Sequence, residues 1–150
     1  MFLNTSIEVL FTGIEAAVIA QILKFLGYLI THKNINFKIL STTGGMPSSH
    51  SAGTVALAVT VGLICGFDSV EFAIATGFSL IVMYDAAGLR RAAGKTAACL
   101  NKMMEELYQS GKLIDPQEKL KELLGHTPFE VFVGALLGIA LAFLNHYILF

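Results

Sequence analysis

Residues 128–150 read Pro128-Phe-Glu-Val-Phe-Val-Gly-Ala-Leu-Leu-Gly-Ile-Ala-Leu-Ala-Phe-Leu-Asn-His-Tyr-Ile-Leu-Phe150. One carboxylate stands near its start, and wound at 3.6 residues per turn the segment is apolar nearly all round. A helix needs about 20 mostly apolar residues to cross a hydrocarbon core, and this run is long enough. Three similar runs precede it. The first covers about Ile7 to Ile30, interrupted by Glu15, Gln21 and Lys24; the second covers Ser49 to Phe67 and the third Val70 to Leu89. The 150-residue chain is 55% hydrophobic and 14% charged, with a mean hydropathy of +0.69. A soluble domain of this size would leave much of that surface in water; a bilayer removes the problem. The expectation is one all-α domain over residues 1–150, an integral membrane bundle of about four transmembrane helices with a cytoplasmic amphipathic segment. No basic stretch precedes the first run, which therefore reads as a retained helix and not a cleaved signal peptide.

The ten basic residues are Lys24, Lys33, Lys38, Arg90, Arg91, Lys95, Lys102, Lys112, Lys119 and Lys121. With four spans they all fall in or beside the first and third connections. The second connection, Gly66-Phe67-Asp68-Ser69, has none. The positive-inside rule then puts both termini outside and both basic connections in the cytoplasm of a cell that carries this chain in its plasma membrane. The basic residues lack the aromatic interleaving of a nucleic-acid surface. Cys65 and Cys99 have neither pairing nor metal spacing and read as reduced, small apolar residues. No cofactor and no metal ligand set is expected.

In the third connection Leu100, Met103, Met104, Leu107 and Tyr108 recur at helical spacing opposite Asn101, Lys102, Glu105, Glu106 and Gln109. That is an amphipathic helix lying on the membrane or against the bundle, broken by Ser110-Gly111. Asp115-Pro116-Gln117-Glu118 reads as a second helix start and Gly125 as its end.

This topology brings polar groups from several segments to one layer. Lys24 lies near the inner end of the first run; Ser48, Ser49 and His50 open the second; Arg90 and Arg91 close the third; His126 precedes the fourth. Fixed cations and a planar guanidinium suit a phosphate, as do the free N–H groups at the starts of the second and fourth helices. Gly44 and Gly45 permit close backbone approach. Two histidines allow one to attack phosphorus while the other protonates the leaving oxygen. Glu130, one turn beyond His126, can hold that ring.

Plainer roles compete at each position. Thr127-Pro128-Phe129-Glu130 is also a capping box. Pro47-Ser48-Ser49 is an ordinary helix opening. Arg90 and Arg91 can anchor a helix at the headgroups. Lys24 can snorkel, although a lysine two turns inside an apolar helix is costly and usually functional. Asp85 pairs with Arg91 or Lys95 more readily than it does chemistry. Glu15 reads as a buried hydrogen-bond partner, and His32 and His146 have no local partner. Gly134-x-x-x-Gly138 allows close helix packing, either within the bundle or in a homodimer.

Three stretches together, Gly-Gly-Met-Pro-Ser-Ser-His at 44–50, Tyr-Asp-Ala-Ala-Gly-Leu-Arg-Arg at 84–91 and Gly-His-Thr-Pro-Phe-Glu-Val at 125–131, resemble the divergent branch of the type 2 phosphatidic acid phosphatase superfamily, relatives of lipid phosphate phosphatases and vanadium haloperoxidases. The resemblance runs from Gln21-x-x-Lys24 to Gly134. It implies that Lys24, Ser48, Ser49 and Arg90 or Arg91 bind phosphate, that His50 is the general acid, that His126 is the nucleophile and that Glu130 orients it. Gly45, Asp85 and Lys95 are supporting candidates. The chain departs from the superfamily pattern in four places. No Arg-Pro follows Lys24, Ser49 stands where glycine is usual, Leu89 stands where serine is usual, and about 35 residues separate Arg91 from His126.

The expected function is metal-independent hydrolysis of a membrane lipid phosphate or pyrophosphate through a phosphohistidine. Phosphatidylglycerophosphate, phosphatidic acid and polyprenyl (pyro)phosphates all fit. The alternative is a non-catalytic lipid-phosphate binder or transport-associated protein. The missing Arg-Pro favours that alternative, and the retained pair of histidines disfavours it. Vanadate-dependent halide oxidation is a third, remote reading.

Overall fold

The computed structural model describes residues 6–33, 35, 45–110, 120 and 125–149, with the Arg90 side chain excepted. The expected all-α architecture is observed. In chain order, α1 spans Ser6–His32, α2 Ser49–Cys65, α3 Val70–Ala87, α4 Leu89–Gln109 and α5 Pro128–Leu144, and a π-helical turn follows at Asn145–Leu149. α1, α3 and the α5 segment are long and apolar enough to cross a membrane. α2 is shorter, 17 residues, or about 25 Å at 1.5 Å per residue. It is the central helix, packed against α1, α3 and α5.

The packing is inverted relative to a water-soluble protein. Its buried apolar core is mostly alanine, with Ala16 and Ala20 of α1 against Ala52 and Ala56 of α2, flanked by Leu137 and Leu141 of α5. The largest fully buried side chains are all polar: Glu8, Asn145, Thr12, Thr60, Ser48 and Ser51. The large apolar residues face outward, among them Ile7, Ile14, Ile30, Ile74, Phe78, Ile81 and Phe132. Without water to drive apolar groups inward, membrane helices associate through small residues and interhelical hydrogen bonds. This chain does both, so the distribution identifies a membrane bundle.

Small residues set the helix separations. A Cβ on Gly53 would stand 3.0 Å from the Gly13 carbonyl oxygen. One on Gly134 would stand 2.5 Å from the Ser48 carbonyl oxygen, and one on Gly138 would meet the backbone of Ala52 and Ala56. The Gly134-x-x-x-Gly138 pair is thus spent inside the bundle, on the α2–α5 contact. Ser51 Oγ donates to the Val131 carbonyl at 2.7 Å across the same contact. α2 and α3 are joined by a tight turn: Gly66 takes φ 96°, Ser69 caps α3 by accepting from Phe72 N, and Phe67 and Phe72 meet edge to face over Gly62.

One expectation is corrected. The third apolar run does not extend to Leu89, and Arg90 and Arg91 do not close it. α3 ends at Ala87, Gly88 leaves helical geometry at φ −105° and ψ −82°, and α4 starts at Leu89. The two arginines therefore stand in the first turn of α4. The amphipathic helix starts about three turns earlier than the apolar spacing alone suggests, because nothing after Gly88 stops a helix until Ser110. Leu100, Met103, Leu107 and Tyr108 remain exposed along it, and the Asn101 amide grips the Leu120 backbone through two hydrogen bonds of 2.9 and 2.8 Å. The expected helix start at Asp115 lies outside the described residues, as does Gly44.

Candidate phosphate site at the start of α5

The site is built where α1, the turn before α2 and the start of α5 converge. Thr127 caps α5, with its hydroxyl accepting from Glu130 N at 3.3 Å, while Glu130 Oε2 accepts from Thr127 N at 3.2 Å. The same Oε2 lies 3.1 Å from His126 Nδ1. The two competing readings of Glu130 are therefore both realised, in one atom. The helix start fixes the carboxylate, and the carboxylate fixes the ring. A second anchor holds the backbone, since His126 N donates to the Ala86 carbonyl at 3.1 Å. That bond ties the histidine to the end of α3.

His126 is 2% exposed. With Nδ1 turned to Glu130, Nε2 is buried and has no hydrogen-bond partner of ordinary geometry. Burial holds the His126 pKa below its ordinary 6.5; the Glu130 hydrogen bond and charge oppose that, Lys24 reinforces it, and the Gly45 backbone opposes it weakly. The ring is therefore neutral at physiological pH. In the tautomer that donates from Nδ1 to the carboxylate, the lone pair is on Nε2. Because the folded pKa is lowered, the unfolded chain binds more protons just below pH 6.5. The stability contributed by a neutral His126 is present above that pH and is lost as pH falls through the folded value.

Lys24 is buried, and its charge acts on both Glu130 and His126. Gly45, at φ +84°, carries the chain past its stem: a Cβ there would stand 3.5 Å from Lys24 Cγ and Cδ. Only glycine takes that φ freely. Ser48 is fully buried; its N–H donates to the Glu130 carbonyl at 3.2 Å and its hydroxyl accepts from Ser51 N at 3.4 Å as the α2 cap. Ser49 is buried beside it.

The sequence pattern of the divergent PAP2 family fits residues 5–141. The chain belongs to the divergent PAP2 family. The uncharacterized membrane protein YuiD of Bacillus subtilis (strain 168) is 39% identical over 147 residues, which cover 92% of this chain and 93% of that protein. No solved structure matches.

Within this divergent PAP2 chain, Lys24, Gly45, Ser48, Ser49, His126 and Glu130 are brought together from segments far apart in sequence. His50 follows Ser49 in the first turn of α2 but is exposed. It lines a groove of about 720 Å³ between α1 and α2, together with Ser49, Gln21, Ile14, Val18 and Leu57. Arg91 and Lys95 project from α4, Arg91 half-buried and Lys95 exposed, and Asp85 is half-buried near the end of α3. The Arg90 side chain lies outside the described residues. Sequence reading missed Ser51 and Ala86. Each meets a backbone group far away in sequence, Ser51 by donating its hydroxyl to the Val131 carbonyl and Ala86 by accepting from His126 N, and no local pattern announces either.

Proposed function

We propose that this protein hydrolyses a lipid phosphate or pyrophosphate through a phosphohistidine on His126. The observation that carries the reading is His126 itself: a buried neutral imidazole, held at Nδ1 by Glu130, with Nε2 unbonded next to the Lys24 cation. A purely structural histidine would have both nitrogens satisfied. Nε2 attacks the terminal phosphorus, and its phosphorus–oxygen bond to the lipid breaks as the new nitrogen–phosphorus bond forms. Lys24, the buried serines, backbone N–H groups and an arginine of α4 offset charge on the phosphoryl oxygens, the dominant contribution in such transfers. His50 delivers a proton to the departing oxygen and then activates the water that releases phosphate. The groove that starts at Ser49 and His50 and runs along α1 and α2 suits an acyl or prenyl tail. The clustering of basic residues supports a site on the cytoplasmic side of the plasma membrane.

The test is phosphate release by purified protein in mixed micelles, across phosphatidylglycerophosphate, phosphatidic acid and prenyl (pyro)phosphates. Release that orthovanadate inhibits and EDTA leaves unchanged supports the reading. No release from any lipid, with headgroup binding intact, replaces it with the binding-only alternative.

Glu130→Gln separates the two duties of that side chain. Glutamine preserves the capping box, so the melting temperature changes little. It removes the charge that favours the imidazolium and replaces the carboxylate at Nδ1 with a weaker, neutral amide acceptor. Turnover falls by about 10²–10⁴-fold, and the acid limb of the pH–rate profile moves to lower pH. An unmoved acid limb would show that Glu130 does not act on the titrating group.

A further inference from the structure

The groove between α1 and α2 is polar at one end and apolar along the rest. Two close contacts fix the register of its walls. A Cβ on Gly13 would stand 3.3 Å from the Gly53 carbonyl oxygen and from Leu57 Cβ, and one on Gly53 would stand 3.2 Å from Ala17 Cβ. The antiparallel helices therefore touch along a floor of small residues. One turn further along each helix, Gln21 and Ile22 of α1 lie level with Ser49 and His50 of α2, and these four form the mouth. Beyond the mouth the Thr54 hydroxyl donates to the His50 carbonyl at 2.8 Å, and the far end is lined by Leu10, Ile14 and Leu57. A polar mouth with an apolar shaft suits an amphipath.

The mouth is shared with the phosphate site. Ser49 lines the groove and is buried beside Ser48, and Gln21 precedes Lys24 by one turn of α1. An anion held by Lys24 and the serines would sit at the polar end, with whatever it carries directed down the groove. The side toward the bilayer is open, since Ile14 and Val18 on that rim are exposed.

Size limits the occupant. From Ile22 to Leu10 the groove follows α1 for about 18 Å. One leaflet of hydrocarbon is about 15 Å deep, half of the bilayer core. A methylene takes up about as much room as a water molecule, about 30 Å³, so a groove of 720 Å³ holds about 24 carbons. One membrane acyl chain fits that volume; two acyl chains or a long polyprenyl chain do not.

We propose that the groove seats one hydrocarbon chain of the lipid whose phosphate meets His126, and that a single chain of about one leaflet's depth is the unit the site recognises. This rests on the lipid-phosphate reading above and narrows it. A diacyl lipid leaves its second chain in the bilayer through the open side, so a monoacyl lipid phosphate binds as well as its diacyl counterpart. The carbons of a polyprenyl chain beyond one leaflet's depth add nothing to binding.

The experiment is photolabelling of the purified full-length protein in phosphatidylcholine nanodiscs, with hexadecylphosphonate carrying a diazirine at its terminal carbon. Its carbon–phosphorus bond is not hydrolysed, so the result does not depend on turnover. The expected result is labelling of Leu10, Ile14 and Leu57 several-fold above that of Ile74, Phe78 and Phe132, which face lipid on α3 and α5. Hexadecanol with the same diazirine should label both sets alike. Monoacyl and diacyl phosphatidic acid at equal surface fraction should displace the phosphonate comparably. Ala17→Phe fills the floor and should remove the excess; Val18→Trp, on the exposed rim, should do the same if the Ala17 variant fails to fold. Even labelling of both sets by the phosphonate would overturn the proposal, as would an excess that hexadecanol shares, that diacyl lipid alone displaces, or that survives in a folded variant. The excess without phosphate release would remove the catalytic reading alone, and release with even labelling would remove the groove alone.

Discussion

On the proposed mechanism, the expected result for His126→Ala is loss of phosphate release, with lipid-phosphate binding within a few-fold of the parent. The expected loss is on the order of 10⁴-fold or more, the scale seen when a covalent nucleophile is removed. The structure separates the two measurements. Lys24, the buried serines and the N–H groups at the helix starts remain in place when the imidazole is gone, so electrostatic attraction for the headgroup persists. Truncation also leaves a cavity and frees Glu130 Oε2, but that oxygen retains Thr127 N as a donor, so the helix start survives. Phosphate release assayed beside binding to the same micelles checks the result. Equal release by both proteins would eliminate the phosphohistidine; equal loss of binding would make His126 a binding residue.

Gly138→Leu has the largest expected effect on stability. A Cβ at 138 already meets backbone atoms of α2, with the Ala56 nitrogen at 2.9 Å, and backbone cannot swing aside as a flexible side chain can. Overpacking a well-filled interior costs about 1–3 kcal/mol, occasionally more, against a total stability of about 5–15 kcal/mol. Leucine adds three carbons beyond Cβ at the tightest contact between α2 and α5. The expected outcome is loss of the monodisperse protein on size-exclusion chromatography in detergent. Gly138→Ala should fold with a lowered melting temperature. Gly77→Ala is the control: nothing lies within 4 Å of its Cβ, and alanine is the better helix former by up to about 1 kcal/mol. A Gly138→Leu protein as stable as the parent would mean that α2 and α5 are not in this contact.

The membrane spans were legible because uninterrupted apolar character is a strong signal, and α1, α2 and α5 begin within a residue or two of where the composition changes. The break at Gly88 was less legible. Glycine inside an apolar run is common in membrane helices, and the paired arginines after it resemble a helix terminus at the headgroups. The meeting of Lys24, Ser48 and His126 followed from topology, since each sits at the same end of its run. The double engagement of the Glu130 carboxylate did not, because i, i+3 and i, i+4 spacings look equally good on paper and only coordinates show one oxygen serving His126 Nδ1 and Thr127 N. The pairing of Glu8 with His146 crosses 138 residues and depends on the antiparallel packing of α1 and α5, which no local pattern contains.

The sharing of Glu130 Oε2 makes the first turn of α5 a fuse. Helix ends open far more readily than whole bundles do, and here an opening of that turn releases the imidazole at the same moment, because the ring and the cap depend on one oxygen atom. Warming should therefore silence the histidine while the remaining helices stay docked, and cooling should restore it without any refolding.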